Sequence, residues 1–169
     1  RVLLVEDNEL NQQVARELLQ EAGVQVDVAA DGQQGVDLAR SQPYDLVLMD
    51  CQMPVLDGYT ATREWRDHAV LQQSPVRLPI VAMTANAMAG DRQRCLDAGM
   101  DDYLSKPVSR EQLQHCLQRW LPGRASFPTR NPPPEALPAV VTPLHPIIPP
   151  APATGPANNT PAFPVLDSQ

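Results

Sequence analysis

The stretch DLVLMDCQMPVLDGY, residues 45–59, carries the most informative pattern in this sequence. Four consecutive apolar residues, Leu46 to Met49, lead directly into an acid, Asp50, and a Met-Pro turn follows. A short run that is apolar at every position is typical of a central strand in a parallel sheet, because both faces of such a strand are buried. The pattern therefore predicts a buried strand that presents a carboxylate at its carboxyl end.

Short apolar runs alternate with helical patterns throughout residues 1–121. The runs predict five strands, at Val2–Val5, Val24–Ala29, Leu46–Met49, Ile80–Met83 and Tyr103–Leu104. Leu10, Val14 and Leu18 recur every four residues and predict a first helix over 10–22. Residues typical of helix starts predict three further helices, at Asp31 with Gln34, at Asp57, and at Ser109 with Gln112. Strands alternating with helices predict an α/β fold with a doubly wound, five-stranded parallel sheet.

The remainder of the chain, residues 122–169, has a different composition. It holds 14 of the 19 prolines, and proline removes backbone donors and disfavours helix. We therefore expect one domain at 1–121 and a disordered, Pro-rich linker or tail at 122–169. The chain also begins at Arg1, within an apolar run, as expected of a piece of a longer protein.

Charge and composition exclude several classes of function. The formal net charge is −7, and 1–121 carries all of it, which argues against direct contact with nucleic acid. No apolar run approaches the ~20 residues of a membrane helix, so we expect no membrane contact by this piece. The three cysteines, Cys51, Cys95 and Cys116, have no metal-binding spacing, and reduced thiols in a cytoplasmic protein fit best.

Polar residues follow four of the five predicted strands. Glu6 and Asp7 follow the first strand, Asp50 ends the third, Thr84 follows the fourth and Lys106 the fifth. Parallel strands end at one edge of a sheet, so a strand order of 2-1-3-4-5 would bring Asp7 and Asp50 together. Carboxylates packed closely repel unless a cation intervenes, and hard oxygen ligands suit Mg²⁺. The pattern predicts a site where a metal ion, a hydroxyl and an ammonium surround a phosphoryl group.

Lys106 strengthens this interpretation, because the other twelve basic residues are all arginine. A compact ammonium approaches a phosphoryl oxygen end-on, which a planar guanidinium does not replace. A structural interpretation stays open for Glu6 and Asp7, since acids after strands also cap helices. We expect Asp101 and Asp102 to be solvated and to have no part in a metal site.

Four blocks of sequence resemble the receiver domains of two-component signalling systems, most of all those of hybrid sensor histidine kinases. The blocks are LLVEDN at 3–8, DLVLMDCQMPVLDGY at 45–59, PIVAMTANAM at 79–88 and GMDDYLSKP at 99–107. The resemblance covers about 1–121. It implies the flavodoxin-like receiver fold with strand order 2-1-3-4-5.

The resemblance also implies roles for individual residues. Asp50 is the expected phosphoacceptor. Asp7, Asp50 and the backbone carbonyl of Gln52 are the expected direct ligands of Mg²⁺ or Mn²⁺, and Glu6 acts mainly through a metal-bound water. Gln52 is also expected, together with Asn86, to tune the rate of dephosphorylation.

A second group of residues is expected to bind and sense the phosphoryl group. Thr84 is the expected switch hydroxyl, Lys106 the phosphoryl-contacting lysine and Tyr103 the switch aromatic. The backbone N–H groups of Gln52 and Ala85 complete the cradle. The Lys106-Pro107 peptide bond is expected to be cis.

The implied function is phosphorelay signal transduction. The phosphoryl donor is expected to be a phosphohistidine on a kinase dimerisation domain, on a histidine phosphotransfer domain, or on both in turn. Residues 86–107 are the expected output surface. The fragment would only accept and lose phosphoryl groups, whereas the parent chain would be a histidine kinase, cytoplasmic or the cytoplasmic portion of a membrane-anchored sensor.

Two other classes of function stay open. An aspartyl-phosphate phosphatase would need a second acid two residues after the nucleophile, where this chain has Gln52. A phosphorylation-independent interaction module would be expected to lack the acids, the Thr84 hydroxyl or Lys106. The stimulus, the donor histidine, the downstream partner and the oligomeric state do not follow from the sequence.

Overall fold

A computed structural model of the chain describes residues 1–86, 88–123 and 127. Five strands alternate with five helices in this part of the chain. In order, they are β1 (Val2–Val5), α1 (Glu9–Glu21), β2 (Val26–Ala29), α2 (Gly32–Ser41), β3 (Leu46–Asp50), α3 (Gly58–Leu71), β4 (Ile80–Thr84), α4 (Ala89–Asp97), β5 (Asp102–Ser105) and α5 (Arg110–Trp120). The predicted disordered tail lies outside the described residues, except for Pro122, Gly123 and Phe127, and the boundary at 121 stays a prediction.

The strands form one parallel sheet in the order β2-β1-β3-β4-β5, which confirms the predicted fold. The central strand is β3, and it pairs with β1 on one side and β4 on the other. Val5 of β1 lies opposite Met49 of β3. The next residue on each side is an acid, Glu6 directly after β1 and Asp50 at the end of β3, and this register builds the carboxyl edge of the sheet.

Alternate strand residues fill two apolar cores, one on each face of the sheet. Leu4 and Leu48 face α1 and α5, where they pack with Leu19 and Leu113. Leu3, Val5, Val47 and Met49 face the other side, where α2, α3 and α4 contribute Val36, Ala61 and Cys95. Because full burial of one such aliphatic side chain contributes about 1.5–3 kcal/mol, the two cores fix the strands firmly.

The predicted helix starts are confirmed by capping contacts. The Asp31 side chain accepts a hydrogen bond from the Gln34 N–H, and the Asp57 side chain accepts one from the Thr60 N–H. Ser109 and Gln112 form a reciprocal capping box. Helix α1 has a cap that the sequence interpretation did not include, the Asn8 side chain, which accepts from the Asn11 N–H at 3.1 Å.

The start of the second strand differs by two residues from the sequence prediction, for a reason of packing. The second strand begins at Val26, not Val24, because Val2, the first residue of β1, pairs with Val26. Helix α2 continues through Gly35, although glycine weakens a helix interior. A Cβ atom at Gly35 would lie 2.9 Å from a methyl carbon of Val5, so only glycine lets α2 pack this closely on β1.

The amino edge of the sheet carries a network that corrects one prediction. Asp101 is not solvated, because its side chain is 13% exposed and accepts three hydrogen bonds. The donors are Nη2 of Arg66 at 2.7 Å, Nε of Arg77 at 2.9 Å and the Ile80 N–H at 2.9 Å. Asp102 also has partners, Trp120 and Arg119. Arg66 lies 35 residues from Asp101, too far for local sequence patterns to reveal the contact.

Among the described helices, none combines the length and the apolarity that crossing a membrane requires.

Candidate phosphoryl and metal site

Three acids meet at the carboxyl edge of the sheet. Glu6 and Asp50 are 2% and 3% exposed, whereas Asp7 is exposed at the rim. One carboxylate oxygen from each lies within 4.8 Å of the other two. The set offers hard, anionic oxygens and is open to solvent at Asp7, so it fits a divalent cation such as Mg²⁺. The acids that the sequence predicted as metal ligands are thus brought together.

Lys106 joins the two buried acids. Its Nζ lies 2.7 Å from Oδ2 of Asp50 and 2.8 Å from Oε2 of Glu6. The lysine follows β5 directly, and its N–H donates to the Thr84 carbonyl at 2.8 Å. The Lys106-Pro107 peptide bond is cis. The only lysine of the chain is therefore placed against the predicted phosphoacceptor.

The charges in this cluster do not balance. Burial raises the pKa of Asp50, hydrogen bonds from Lys106 and the Gln52 N–H counteract the rise, and the charge on Glu6 adds to it. Burial alone would lower the pKa of Lys106, but Asp50 and Glu6 outweigh it, and the pKa is raised. One ammonium thus serves two buried carboxylates, with Asp7 adding a third negative charge nearby. Such a surplus favours a cation or a proton.

The loop after β3 folds back over the end of the strand and fixes Asp50. The Cys51 N–H donates to the Met83 carbonyl at 3.0 Å, and the Gly58 N–H donates to the Cys51 carbonyl at 3.2 Å. A Cβ atom at Gly58 would collide with the backbone carbonyl of Asp50, so glycine permits this close approach. The Gln52 N–H holds Oδ1 of Asp50 at 3.1 Å while Lys106 holds Oδ2. The carboxylate is fixed at both oxygens.

Thr84 ends β4 and is 6% exposed. Its hydroxyl accepts from the Asn86 N–H at 3.1 Å and donates to the Asn86 carbonyl at 3.0 Å. The hydroxyl is thus hydrogen-bonded to the backbone of the loop that follows β4. Ala85 and Asn86 are exposed beside it, as is Gln52 on the neighbouring loop. The loop residue that follows, 87, lies outside the described residues.

Tyr103 lies opposite Ala82 in the pairing of β4 with β5 and is half-buried. Its ring packs against the core shared by α2, α3 and α4. The guanidinium carbon of Arg92 is 5.8 Å from the ring centroid, within the range of a cation–π contact. Tyr103 therefore lies on the side of the sheet that faces α4.

Two thiols lie behind the site without taking part in its chemistry. The sulfur atoms of Cys51 and Cys95 are 3.9 Å apart, and both residues are buried. Burial raises the pKa of the Cys51 thiol to about 12. A thiol is a poor nucleophile in this state, and Cys51 acts as a small packing residue beside Asp50.

Sequence reasoning missed the amide side chains that surround Glu6. Nδ2 of Asn11 donates to Oε1 of Glu6 at 3.2 Å, and the Asn8 N–H donates to the same oxygen at 3.2 Å. Nε2 of Gln12 donates to the Glu6 backbone carbonyl at 2.7 Å. The available signal was the amide-rich sequence NELNQQ at 8–13, directly after the acids.

A cleft of about 260 Å³ opens beside this group. Asn11 and Lys106 line it, and its remaining lining is largely apolar. Leu10 and Val14 of α1 belong to the lining and are 69% and 46% exposed. An apolar surface on α1 therefore borders the acid cluster.

Comparison with known proteins identifies relatives over the same part of the chain. The family model described as response regulator receiver domain matches residues 2–118. Sensor protein GacS of Pseudomonas syringae is 41% identical over 138 residues, covering 80% of this chain and 14% of that protein. The chain spans only between 4% and 17% of the length of the curated relatives it matches.

Two solved structures are informative about the site and its partners. One is the receiver domain of a sensor histidine kinase from Pseudomonas aeruginosa, solved with magnesium coordinated in its active site cleft. It is 55% identical to this chain, with a TM-score of 0.63, and the match covers 70% of this chain and 94% of that chain. A Saccharomyces cerevisiae response regulator receiver domain, crystallised with a histidine phosphotransfer signaling protein, is 33% identical, with a TM-score of 0.68 and coverage of 70% and 86%.

Proposed function

This chain belongs to the response regulator receiver domain family, and from that premise we propose that Asp50 accepts a phosphoryl group from a phosphohistidine. The chain is thus a receiver in phosphorelay signal transduction. The observation that carries the assignment to Asp50 is its carboxylate, held between the Gln52 N–H and Lys106 within a cluster of three acids. A carboxylate fixed at both oxygens is oriented before the donor arrives, which lowers the entropic cost of the reaction.

The transfer exchanges one bond to phosphorus for another. A carboxylate oxygen of Asp50 forms the new O–P bond as the N–P bond of phosphohistidine breaks, and the electron pair of that bond returns to the imidazole. Lys106 then leaves its place between the acids to contact the phosphoryl oxygens, and the Gln52 and Ala85 N–H groups donate to them. These groups stabilise the charge that the phosphoryl group carries during transfer.

The acids would hold Mg²⁺ or Mn²⁺ during this reaction. Asp7, Asp50 and the Gln52 backbone carbonyl are the proposed ligands, with Glu6 behind them. A bound divalent cation offsets negative charge on the carboxylates and on the phosphoryl oxygens. The magnesium ion in the Pseudomonas aeruginosa receiver supports this assignment, as does the convergence of the three acids.

Phosphorylation would change the environment of Thr84. Its hydroxyl, now bonded to the Asn86 backbone, would turn toward the phosphoryl group, and Tyr103 would move inward beside it. Both residues border α4 and β5, so residues 86–107 are the proposed output surface. The exposed side chains of Gln52 and Asn86 flank the approach of water to Asp50 and would set the lifetime of the phosphoaspartate.

The proposed donor is a helical histidine-bearing domain, either a kinase dimerisation domain or a histidine phosphotransfer domain. Its docking place would be the apolar cleft of α1, where Leu10 and Val14 are exposed next to Lys106 and Pro107. The yeast complex supports a partner of this class. The relatives support a parent chain that is a hybrid sensor histidine kinase. The proposed location of this piece is the cytoplasm, either in a cytoplasmic protein or in the cytoplasmic portion of a membrane-anchored sensor.

Incubation with acetyl phosphate and Mg²⁺, followed by intact-mass measurement, tests the proposal. We expect one phosphoryl adduct on the wild type, none on Asp50→Asn and none with a chelator present. Asp57→Asn is the matched control, because Asp57 only caps α3, and it should still form the adduct. Turnover of a small phosphoester would favour a phosphatase, and a wild type without adduct would favour a phosphorylation-independent interaction module.

A further inference from the structure

Glu6 is held at both of its carboxylate oxygens. Lys106 occupies Oε2 at 2.8 Å, while the Asn11 side chain and the Asn8 N–H share Oε1. Lys106 also binds Asp50, and under the proposed function it leaves for the phosphoryl group. When it does, the Asn11 amide is the one side chain among those described that still donates to the Glu6 carboxylate.

The contact made by Asn11 is separate from the capping of α1. The cap consists of the Asn8 side chain and the backbone N–H of Asn11, so it survives any change in the Asn11 side chain. Asn11 is exposed and lies in the first turn of the helix, where a side chain contributes little to the core. The hydrogen bond from the Asn11 amide to Glu6 therefore has no part in capping the helix.

We propose that Asn11 is a positioning residue that fixes the Glu6 carboxylate for binding of the divalent cation. This inference rests on the proposed function, because it assumes that Glu6 takes part in the metal site. A carboxylate held at one oxygen by an amide N–H keeps the other oxygen in a fixed direction. Without that hydrogen bond the Asn8 N–H would hold Oε1 without help from a side chain, so the carboxylate would be oriented less firmly and would bind the cation more weakly.

Asn11 also lines the cleft that carries the exposed apolar residues of α1. A partner that docks there would cover Asn11 and exclude water from its contact with Glu6. The same residue therefore connects the docking surface with the metal site through a single hydrogen bond.

The test measures cation affinity directly, using Mn²⁺ and the electron paramagnetic resonance signal of the free ion. Asn11→Leu keeps the size of the side chain but cannot donate. We expect its Kd for Mn²⁺ to rise about fivefold to tenfold, which corresponds to the net contribution of one typical hydrogen bond. Asn11→Ala should raise the Kd by the same factor, and because alanine favours helix, a loss of helix cannot explain that rise. Gln13→Leu is the matched control, because Gln13 lies on the same helix and its side-chain amide donates to Glu17 and not to Glu6, and the Kd of this variant should not change.

A double-mutant cycle separates positioning from a general effect on the fold. In a Glu6→Gln background, Asn11→Leu should change the Kd by less than about twofold, because the carboxylate it positions is gone. The inference is overturned if Asn11→Leu binds Mn²⁺ like the wild type, or if its effect is as large without Glu6. Should the wild type neither bind Mn²⁺ nor form the adduct on Asp50, the proposed function fails as well. If the wild type forms the adduct but Asn11→Leu has an unchanged Kd for Mn²⁺, only the inference about Asn11 is overturned and the proposed function stands.

Discussion

The two edges of the sheet each hold a network of ionic side chains, but the balance of charge differs. At the carboxyl edge, Lys106 is the one cation among the described residues that pairs with Glu6 and Asp50, with Asp7 nearby. At the amino edge, one acid faces two arginines, since Asp101 binds both Arg66 and Arg77. The carboxyl edge thus carries surplus negative charge, whereas the acid at the amino edge is paired with two cations.

The difference shows what each network does. Arg66 donates to the carbonyls of Gly99 and Leu78 as well as to Asp101, so it ties α3 to the segments before β4 and β5. This network joins elements of the fold, and its one carboxylate is paired with two guanidinium groups. The carboxyl edge keeps like charges together, which costs stability unless a cation or proton arrives. Acids in excess of cations at one edge indicate chemistry, and an acid paired with two arginines at the other indicates structure.

Removing the acid at the amino edge tests this contrast most strongly. Asp101→Asn leaves Arg66 largely buried without its charged partner, and we expect the free energy of unfolding to fall by about 2–4 kcal/mol. Urea unfolding followed by circular dichroism measures the change. Asp97→Asn, at an exposed acid bonded to Gln93, serves as the control and should be near neutral. Equal effects at both positions would mean that the Asp101 network does not stabilise the fold.

Exchanging the two kinds of cation tests whether arginine and lysine have different roles at the two edges. Arg66→Lys cannot reproduce the three-way fork to Asp101, Gly99 and Leu78, so we expect a loss of about 1–2 kcal/mol with phosphorylation preserved. For Lys106→Arg we expect the opposite pattern: the free energy of unfolding should change by less than about 1 kcal/mol, and the rate of adduct formation should fall strongly. Urea unfolding and adduct formation are measured for both variants. If Lys106→Arg forms the adduct at the wild-type rate, any cation suffices at the carboxyl edge.

The smallest expected effect has the opposite sign from that at Asp101. Asp50→Asn removes repulsion with Glu6, and we expect it to raise the free energy of unfolding without metal by about 0.5–1 kcal/mol. Mg²⁺ at ten times its Kd should stabilise the wild type by about 1.4 kcal/mol, and Asp50→Asn by less. Urea titrations with and without Mg²⁺ measure both quantities. Destabilisation by Asp50→Asn without metal would show that the acids at this edge are fully compensated.

Much of the fold could be predicted because its signals are local. Each strand is a short apolar run, and three predicted helix starts are capping residues followed by their partners three residues later. The acids, Thr84 and Lys106 follow strands, so a parallel sheet alone brings them to one edge. Boundaries were less predictable, since Val24 falls outside β2 through the register with β1 and not through its own preference.

Hydrophobic pattern and parallel topology are enough to predict which residues reach the carboxyl edge, because strand ends follow from them. The contacts that each of these residues makes follow instead from how the elements pack in three dimensions. Lys106 binds both Glu6 and Asp50, Asn11 reaches back to Glu6, and Asp101 meets an arginine 35 residues away. Such contacts depend on how a helix or loop packs on the sheet, and packing over such separations leaves no periodic trace in the sequence.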